Sequence, residues 1–260
     1  MLRRGEILQR FEPKFYLAKY LENENNIRNS PFTQHQLHSI TAKISDGTHF
    51  TPNYVDSGVK FLSVKDTRPF SIDYDNSKFI TLTEADNLDK RCKPQKGDIL
   101  LTKIGSIGYA AVVESDERFQ IFVSLALLRP KTDILVPEYL ALCLNSQFVY
   151  LQFERQVKGS GVPDLHLENI RQVQIPVPPL DVQARIVAIM NAAHAAKRAK
   201  EAEAHALLGS IDGYVLAELG ITLPDQERRA VASKKSVYCV KKGLKFMERV
   251  SLIELLEKNL

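Results

Sequence analysis

The chain has 260 residues, a formal net charge of +4 and 44% hydrophobic residues. So much apolar material excludes a disordered or fibrous chain and is enough for a sizeable core. The mild charge neither identifies nor excludes a nucleic-acid partner, so the placement of charges has to decide.

Cys92, Cys143 and Cys239 lie far apart, which fits neither a disulfide framework nor a Cys-rich zinc site and points to a reducing compartment. No apolar run of signal-peptide or membrane-span length follows the opening MLRRGEILQRFEPKFY or occurs later. The expectation is a soluble cytoplasmic protein with no membrane partner.

From about Phe32 to Pro130 short strands alternate with turns: Val59–Val64, Lys78–Leu82, Asp98–Lys103, Tyr109–Val113 and Ile121–Leu128. β-branched and aromatic residues fill these runs, and SDG, KGD and GSIG punctuate them. Thr83 before EADNLDKRC reads as an N-cap opening a short helix. VPEYLALCLNS and QFVYLQFERQV have helical spacing, with Pro137 acceptable in a first turn.

After Pro178–Pro179 the composition changes. From Leu180 to about Leu219 no proline occurs, and apolar or small residues recur at Ile186, Met190, Ala193, Ala204, Leu207, Ile211 and Tyr214. Helix over that span would be ~60 Å long, one arm of an antiparallel hairpin or coiled coil. Its partner helix must come from another chain, which predicts dimerisation or pairing with another subunit. Between Arg228 and Arg249 the tail carries eight basic residues against the single acid Glu248, and reads as a solvated tail or a phosphate contact. The expected fold class is α+β: a β-rich domain with a few helices over 1–178, a long coiled-coil-type spacer helix over 179–219, and a basic tail over 220–260.

Catalytic signatures are missing. There is no GxxxxGK[ST] loop, no HExxH and no G-x-S-x-G elbow. GSGVPD lacks the third glycine of a dinucleotide fingerprint. His35 and His38 are spaced for one helical face but have no third ligand nearby, and read as a surface pair. Asp164, His166 and Glu168 have ordinary surface spacing for a short helix.

The segments QLHSITAKISDGTHFTPNYVDSGVKFLSVKD, GDILLTKIGSIGYAAVV and VKGSGVPDLHLENIRQVQIPVPPLDVQARIV, in that order and ending in PPL before a long helix, carry a likeness. From Arg10 to Leu219 the chain resembles the DNA-specificity subunits of type I restriction–modification systems. The resemblance implies a target recognition domain that reads half of a split double-stranded DNA sequence, joined to a spacer helix. It also implies no catalysis and no cofactor on this chain. Docked methyltransferase subunits would hold S-adenosylmethionine, and a restriction subunit would join in some systems. A full-length member has two recognition domains and two helices; here there is one of each, and the tail KKGLKFMERVSLIELLEKNL echoes the opening as the start of a second repeat would. The expectation is a half-length subunit acting as a homodimer, with half-sites at most about one and a half to two DNA turns apart.

Glycine-flanked loops with cationic or hydroxyl side chains suit base and phosphate contacts, because their backbone can approach the duplex. The candidates are Thr48 and His49 in SDGTHF, Lys65 and Arg68 in SVKDTRPF, and Lys103, Ser106 and Tyr109 in TKIGSIGY. Each loop reads equally as a plain hairpin turn. Lys158 and Ser160 in KGSGVPD are a fourth candidate pair, although the segment reads in preference as an architectural joint that holds the domain against the long helix. Two other classes stay open: a fragment of a fused DNA methyltransferase-specificity protein, although neither its glycine-rich cofactor motif nor an Asn/Asp-Pro-Pro-Tyr motif occurs, and a scaffold that binds protein instead of DNA.

Overall fold

The computed structural model describes residues 13–157 and 161–222. Helix α1 (Ala18–Arg28) buries Tyr20 and Ile27. Strand β1 (Gln34–Gln36) and a 3₁₀ turn at Leu37–Ser39 lead into β2 (Thr41–Asp46). Then come β3 (Tyr54–Val55), β4 (Val59–Leu62), the hairpin β5 (Thr67–Arg68) and β6 (Ser71–Ile72), and β7 (Lys78–Ile80). Helix α2 (Leu82–Asp89) precedes β8 (Ile99–Thr102), β9 (Ala110–Val112), β10 (Phe119–Ile121) and β11 (Leu125–Pro130). Helices α3 (Pro137–Leu144), α4 (Gln147–Gln156) and α5 (Leu167–Arg171), strand β12 (Gln174–Pro176) and helix α6 (Leu180–Glu218) complete the order. The fold is mixed helix and sheet followed by a long helix, as expected.

Two four-stranded sheets form, ordered β10-β4-β7-β3 and β2-β11-β8-β9, with the ribbons β1–β12 and β5–β6 beside them. Strands β8 and β11 are the central pair of the second sheet, and their near-continuous apolar runs suit strands covered on both faces. The period of two then divides them between two cores. Ile99, Leu101, Ala126 and Leu128 pack with α3 and α4 through Leu140, Leu144, Val149 and Phe153. Leu100, Leu125 and Leu127 pack with Leu62, Phe119 and Ile121.

Several local expectations change. The run Ile121–Leu128 is the end of β10, a turn and most of β11. The Leu125 N–H donates to the Phe122 carbonyl at 3.0 Å, so the chain leaves one sheet and enters the other across Phe122–Ser124. The cap of α2 is Thr81, whose hydroxyl accepts from the Glu84 N–H at 3.2 Å; Thr83 lies inside the first turn. His35 is on β1 and His38 in the 3₁₀ turn, so they share no helical face. Asp164 precedes α5 and bridges to Ile104, so it and Glu168 do not share a helix. Pro137 opens α3 as expected.

Among the described residues one compact unit ends at Met190 and a second begins at Asn191, inside α6. Within the first unit the opening turns of α6 are docked. Gln183 is fully buried, its carbonyl accepting from the Val136 N–H at 2.9 Å and its amide donating to Ile134 (3.0 Å) and Pro178 (2.8 Å) carbonyls. Ile186 and Val187 pack on the larger core. Met190 is half-buried, whereas Ala193, Leu207, Ile211 and Tyr214 are exposed in the single chain. The basic run from Arg228 to Arg249 lies outside the described residues.

Candidate nucleic-acid interface

The turn Phe122–Ser124 gathers the candidate loops. The Thr48 N–H donates to the Ile121 carbonyl at 3.1 Å, and the Val123 N–H returns a bond to the Thr48 carbonyl at 2.9 Å. Ser124 serves two further loops: its hydroxyl accepts from the Val64 N–H at 3.0 Å and its carbonyl from the Lys103 N–H at 2.9 Å. A fourth segment joins through the Gly105 N–H to the Pro163 carbonyl (2.9 Å) and the Leu165 N–H to the Lys103 carbonyl (2.8 Å). Backbone hydrogen bonds, and for SVKDTRPF the Ser124 hydroxyl, thus fasten segments from SDGTHF, SVKDTRPF, TKIGSIGY and GVPDL into one neighbourhood.

Close approach at Gly47 makes this possible. A β-carbon there would stand 1.9 Å from the Ile121 carbonyl oxygen, so no other residue admits this packing. A charge cluster built on the buried Asp46 and Lys103 lies alongside. The Asp46 carboxylate accepts a hydrogen bond from Arg91 and stands 3.2 Å from His49 Nε2 and 3.9 Å from Lys103 Nζ. Lys103 also reaches Asp164 at 3.7 Å. Burying Asp46 and Lys103 is tolerable because each has an opposite partner.

The sequence places Lys103 on a loop surface as a donor, whereas the structure buries it as a strut between Asp46 and Asp164. His49 remains exposed at its outer edge, Thr48 is half-buried, and Ser106 and Tyr109 are exposed. Lys65 stands exposed on a 3₁₀ turn fixed by Asp66, which accepts from the Ser63 N–H (2.7 Å) and hydroxyl (3.0 Å). Arg68 is exposed on β5 and folds one guanidinium nitrogen onto the Thr67 carbonyl at 3.1 Å. Hairpin β5–β6 is attached to the edge of β9 by the Phe70 N–H donating to the Ala110 carbonyl at 2.9 Å, which brings Arg68 to the same edge as Tyr109. Lys158 and Ser160 lie outside the described residues.

Sequence reasoning missed Asp46, Arg91, Ser124 and the highly exposed Phe50 at the tip of the first loop. A signal existed for Ser124, a polar residue interrupting the apolar run IFVSLALL. None existed for Arg91, which meets Asp46 only in the fold. Among the described residues no group of His, Cys, Asp and Glu is placed to hold a metal ion, and no helix is long and apolar enough to cross a membrane. Burial pushes the Cys143 thiol up to about 12, so it stays protonated and poorly nucleophilic at neutral pH.

Comparison with known proteins extends this geometry. The family described as Type I restriction modification DNA specificity domain matches residues 53–204, more than half of the chain. The chain belongs to this family. The family region contains Lys65, Arg68, Lys103, Ser106 and Tyr109 and runs into α6, while Thr48 and His49 precede it. Two relatives are named as specificity subunits. The Type I restriction enzyme EcoBI specificity subunit of Escherichia coli is 28% identical over 51% of this chain and 28% of its own length. A putative type I restriction enzyme specificity subunit of Haemophilus influenzae is 26% identical over 38% of this chain and 24% of its own length. A chain from a solved type I R-M system is similar in fold, with TM-score 0.51 and 20% identity over 77% of this chain and 52% of that one. The chain therefore matches about half or less of the length of these relatives.

Proposed function

We propose that this member of the specificity-domain family is a non-catalytic DNA-reading subunit that acts in the cytoplasm. It binds one half of a split double-stranded target and directs methyltransferase subunits to it; S-adenosylmethionine is held by those partners. In systems that restrict, the nuclease subunit joins the same assembly. The observation carrying this reading is the fastening of the Thr48, Val64 and Lys103 loops onto the Phe122–Ser124 turn, with His49, Lys65, Arg68, Ser106 and Tyr109 exposed around it. Sequence readout needs donors held in fixed register, and phosphate contacts set that register. Lys103 supports the surface from beneath, and Arg68 is the best-placed side chain for a guanine.

Two copies pair through the second half of α6, where Leu207, Ile211 and Tyr214 leave an apolar face exposed. A two-fold pair of readers requires an inverted, gapped target. The full chain and its partner methyltransferase, offered random duplexes, should enrich one such sequence and methylate it only when this chain is present. Arg68→Ala should relax one base position at a cost of ~1–3 kcal/mol. Ile211→Glu should shift the sedimenting species from dimer to monomer while each half-site is still bound. Equal binding of all duplexes, or methylation without this chain, would refute the reading.

A further inference from the structure

At the tip of the loop that leaves β2 stands Phe50, 83% exposed and the most exposed large apolar side chain among the described residues. The backbone beneath it is fixed on both sides. On the near side Thr48 bridges to Phe122, and its hydroxyl accepts from the Phe50 N–H and donates to the Phe50 carbonyl, both at 3.2 Å. On the far side Pro52 is buried with its φ locked by the ring, and Tyr54 enters β3, where it pairs with Ile80.

A lone apolar side chain on a loose loop would carry little meaning. This ring is instead held out on a pinned backbone and forgoes the packing that the neighbouring rings find. Phe61 meets Phe122 edge to face with centroids 6.2 Å apart, and Tyr54 meets Phe61 at 6.0 Å. The exposed residues around Phe50 are polar or basic: His49, Thr51 and Asn53 in the loop, and Arg91, which lies 3.4 Å from His49 Nε2. Asp46, the acid at the foot of the loop, is already engaged by Arg91 and Lys103. An anchor for a protein groove sits among other apolar side chains. A single ring among donors and cations suits a base face with phosphates beside it.

We propose that Phe50 enters the base stack of the bound target and opens one base step within the half-site. This rests on the reading of the chain as a DNA-binding subunit and adds a specificity residue that hydrogen-bonds no base edge. An inserted ring selects by the ease of unstacking, so it favours the flexible pyrimidine–purine steps. The Thr48 clamp and the buried Pro52 set which step the ring meets, because they fix the tip relative to the other loops on the Phe122–Ser124 turn.

The test uses the full chain with its partner methyltransferase and the duplex enriched from random sequence, carrying 2-aminopurine at successive positions of the half-site. Wild-type protein should raise fluorescence at one step. Phe50→Ala should abolish that rise and weaken binding roughly 10-fold, while melting at the wild-type temperature because the ring is outside the core. Phe50→Tyr should retain both the rise and the affinity. A sequence that is enriched but shows no rise at any position overturns the insertion, and so does Phe50→Ala that binds and fluoresces as wild type. Normal DNA binding by Phe50→Ala with loss of the methyltransferase makes the ring a protein contact and overturns it. A lower melting temperature in Phe50→Ala does the same, since the ring then serves the fold. A wild-type chain that enriches no sequence removes the subunit reading and the insertion with it.

Discussion

The Lys103 ammonium lies 3.9 Å from the Asp46 carboxylate, with 6% and 5% of the two side chains exposed. This contact joins the end of β2 to the end of β8, the two strands from which the Thr48 and Ser106 loops leave. The loops are held by a buried charge pair as well as by the backbone.

Removing the acid should cost more than removing the base. Asp46→Ala leaves Lys103, among the described residues, with the half-exposed Asp164 and also releases Arg91 and His49, an expected loss of ~3 kcal/mol. Lys103→Met keeps the volume and leaves Asp46 bonded to Arg91, an expected loss of ~1–2 kcal/mol. Urea denaturation of both variants checks the order, and a larger loss for Lys103→Met would contradict it.

Two glycines in the candidate loops should respond differently to alanine. At Gly47 the new methyl would overlap the Ile121 carbonyl, so the loop has to move, at ~3 kcal/mol or more. At Gly105 nothing lies within 4 Å, and only its φ of +82° resists, at ~1 kcal/mol. Melting temperatures of the two variants distinguish steric from backbone cost.

Gln183 fixes the start of α6 against the domain. Gln183→Ala strips three hydrogen bonds and orphans the half-buried Val136 N–H, at ~2–4 kcal/mol. Gln183→Glu should be no better, because one carboxylate oxygen would face the Ile134 and Pro178 carbonyls that now receive the amide protons. Glutamate that restores wild-type stability at pH 7 would refute this donor assignment.

Alkaline pH should destabilise the fold. Burial raises Cys143 from 9.0 to about 12 and Tyr74 from 10.0 to about 12. The folded chain therefore keeps protons that the unfolded chain releases. The stabilisation is complete below about pH 9 and is lost as pH climbs towards 12, by up to ~1.4 kcal/mol per pH unit for each group. Thermal melts from pH 8 to 11 should show the decline, and Cys143→Ala should lessen it between pH 9 and 10, where Tyr74 contributes little and the Cys92 thiol, also raised by burial, leaves a residual slope.

The long helix, the α3–α4 pair and the strands β4, β7, β8 and β9 were legible because each is a local pattern: proline-free periodicity after Pro179, Pro137 at a first turn, and apolar, β-branched runs between glycine turns. Errors arose where neighbours compete. Ile121–Leu128 is apolar throughout, and only its division between two sheets makes Phe122–Ser124 a turn. Thr81 and Thr83 are both sound caps by type, and only the bond to Glu84 selects the first.

By itself the sequence determined the long helix, the α3–α4 pair, several of the strands and which loops carry donors, because propensity and periodicity act over a few residues. Only the tertiary structure decided which donors face outward. Lys103 and Arg68 are similar loop cations on paper, yet one is drawn inward by Asp46 and Asp164 while the other stays exposed. The difference lies in partners distant along the chain, and a charge is buried only where such a partner meets it.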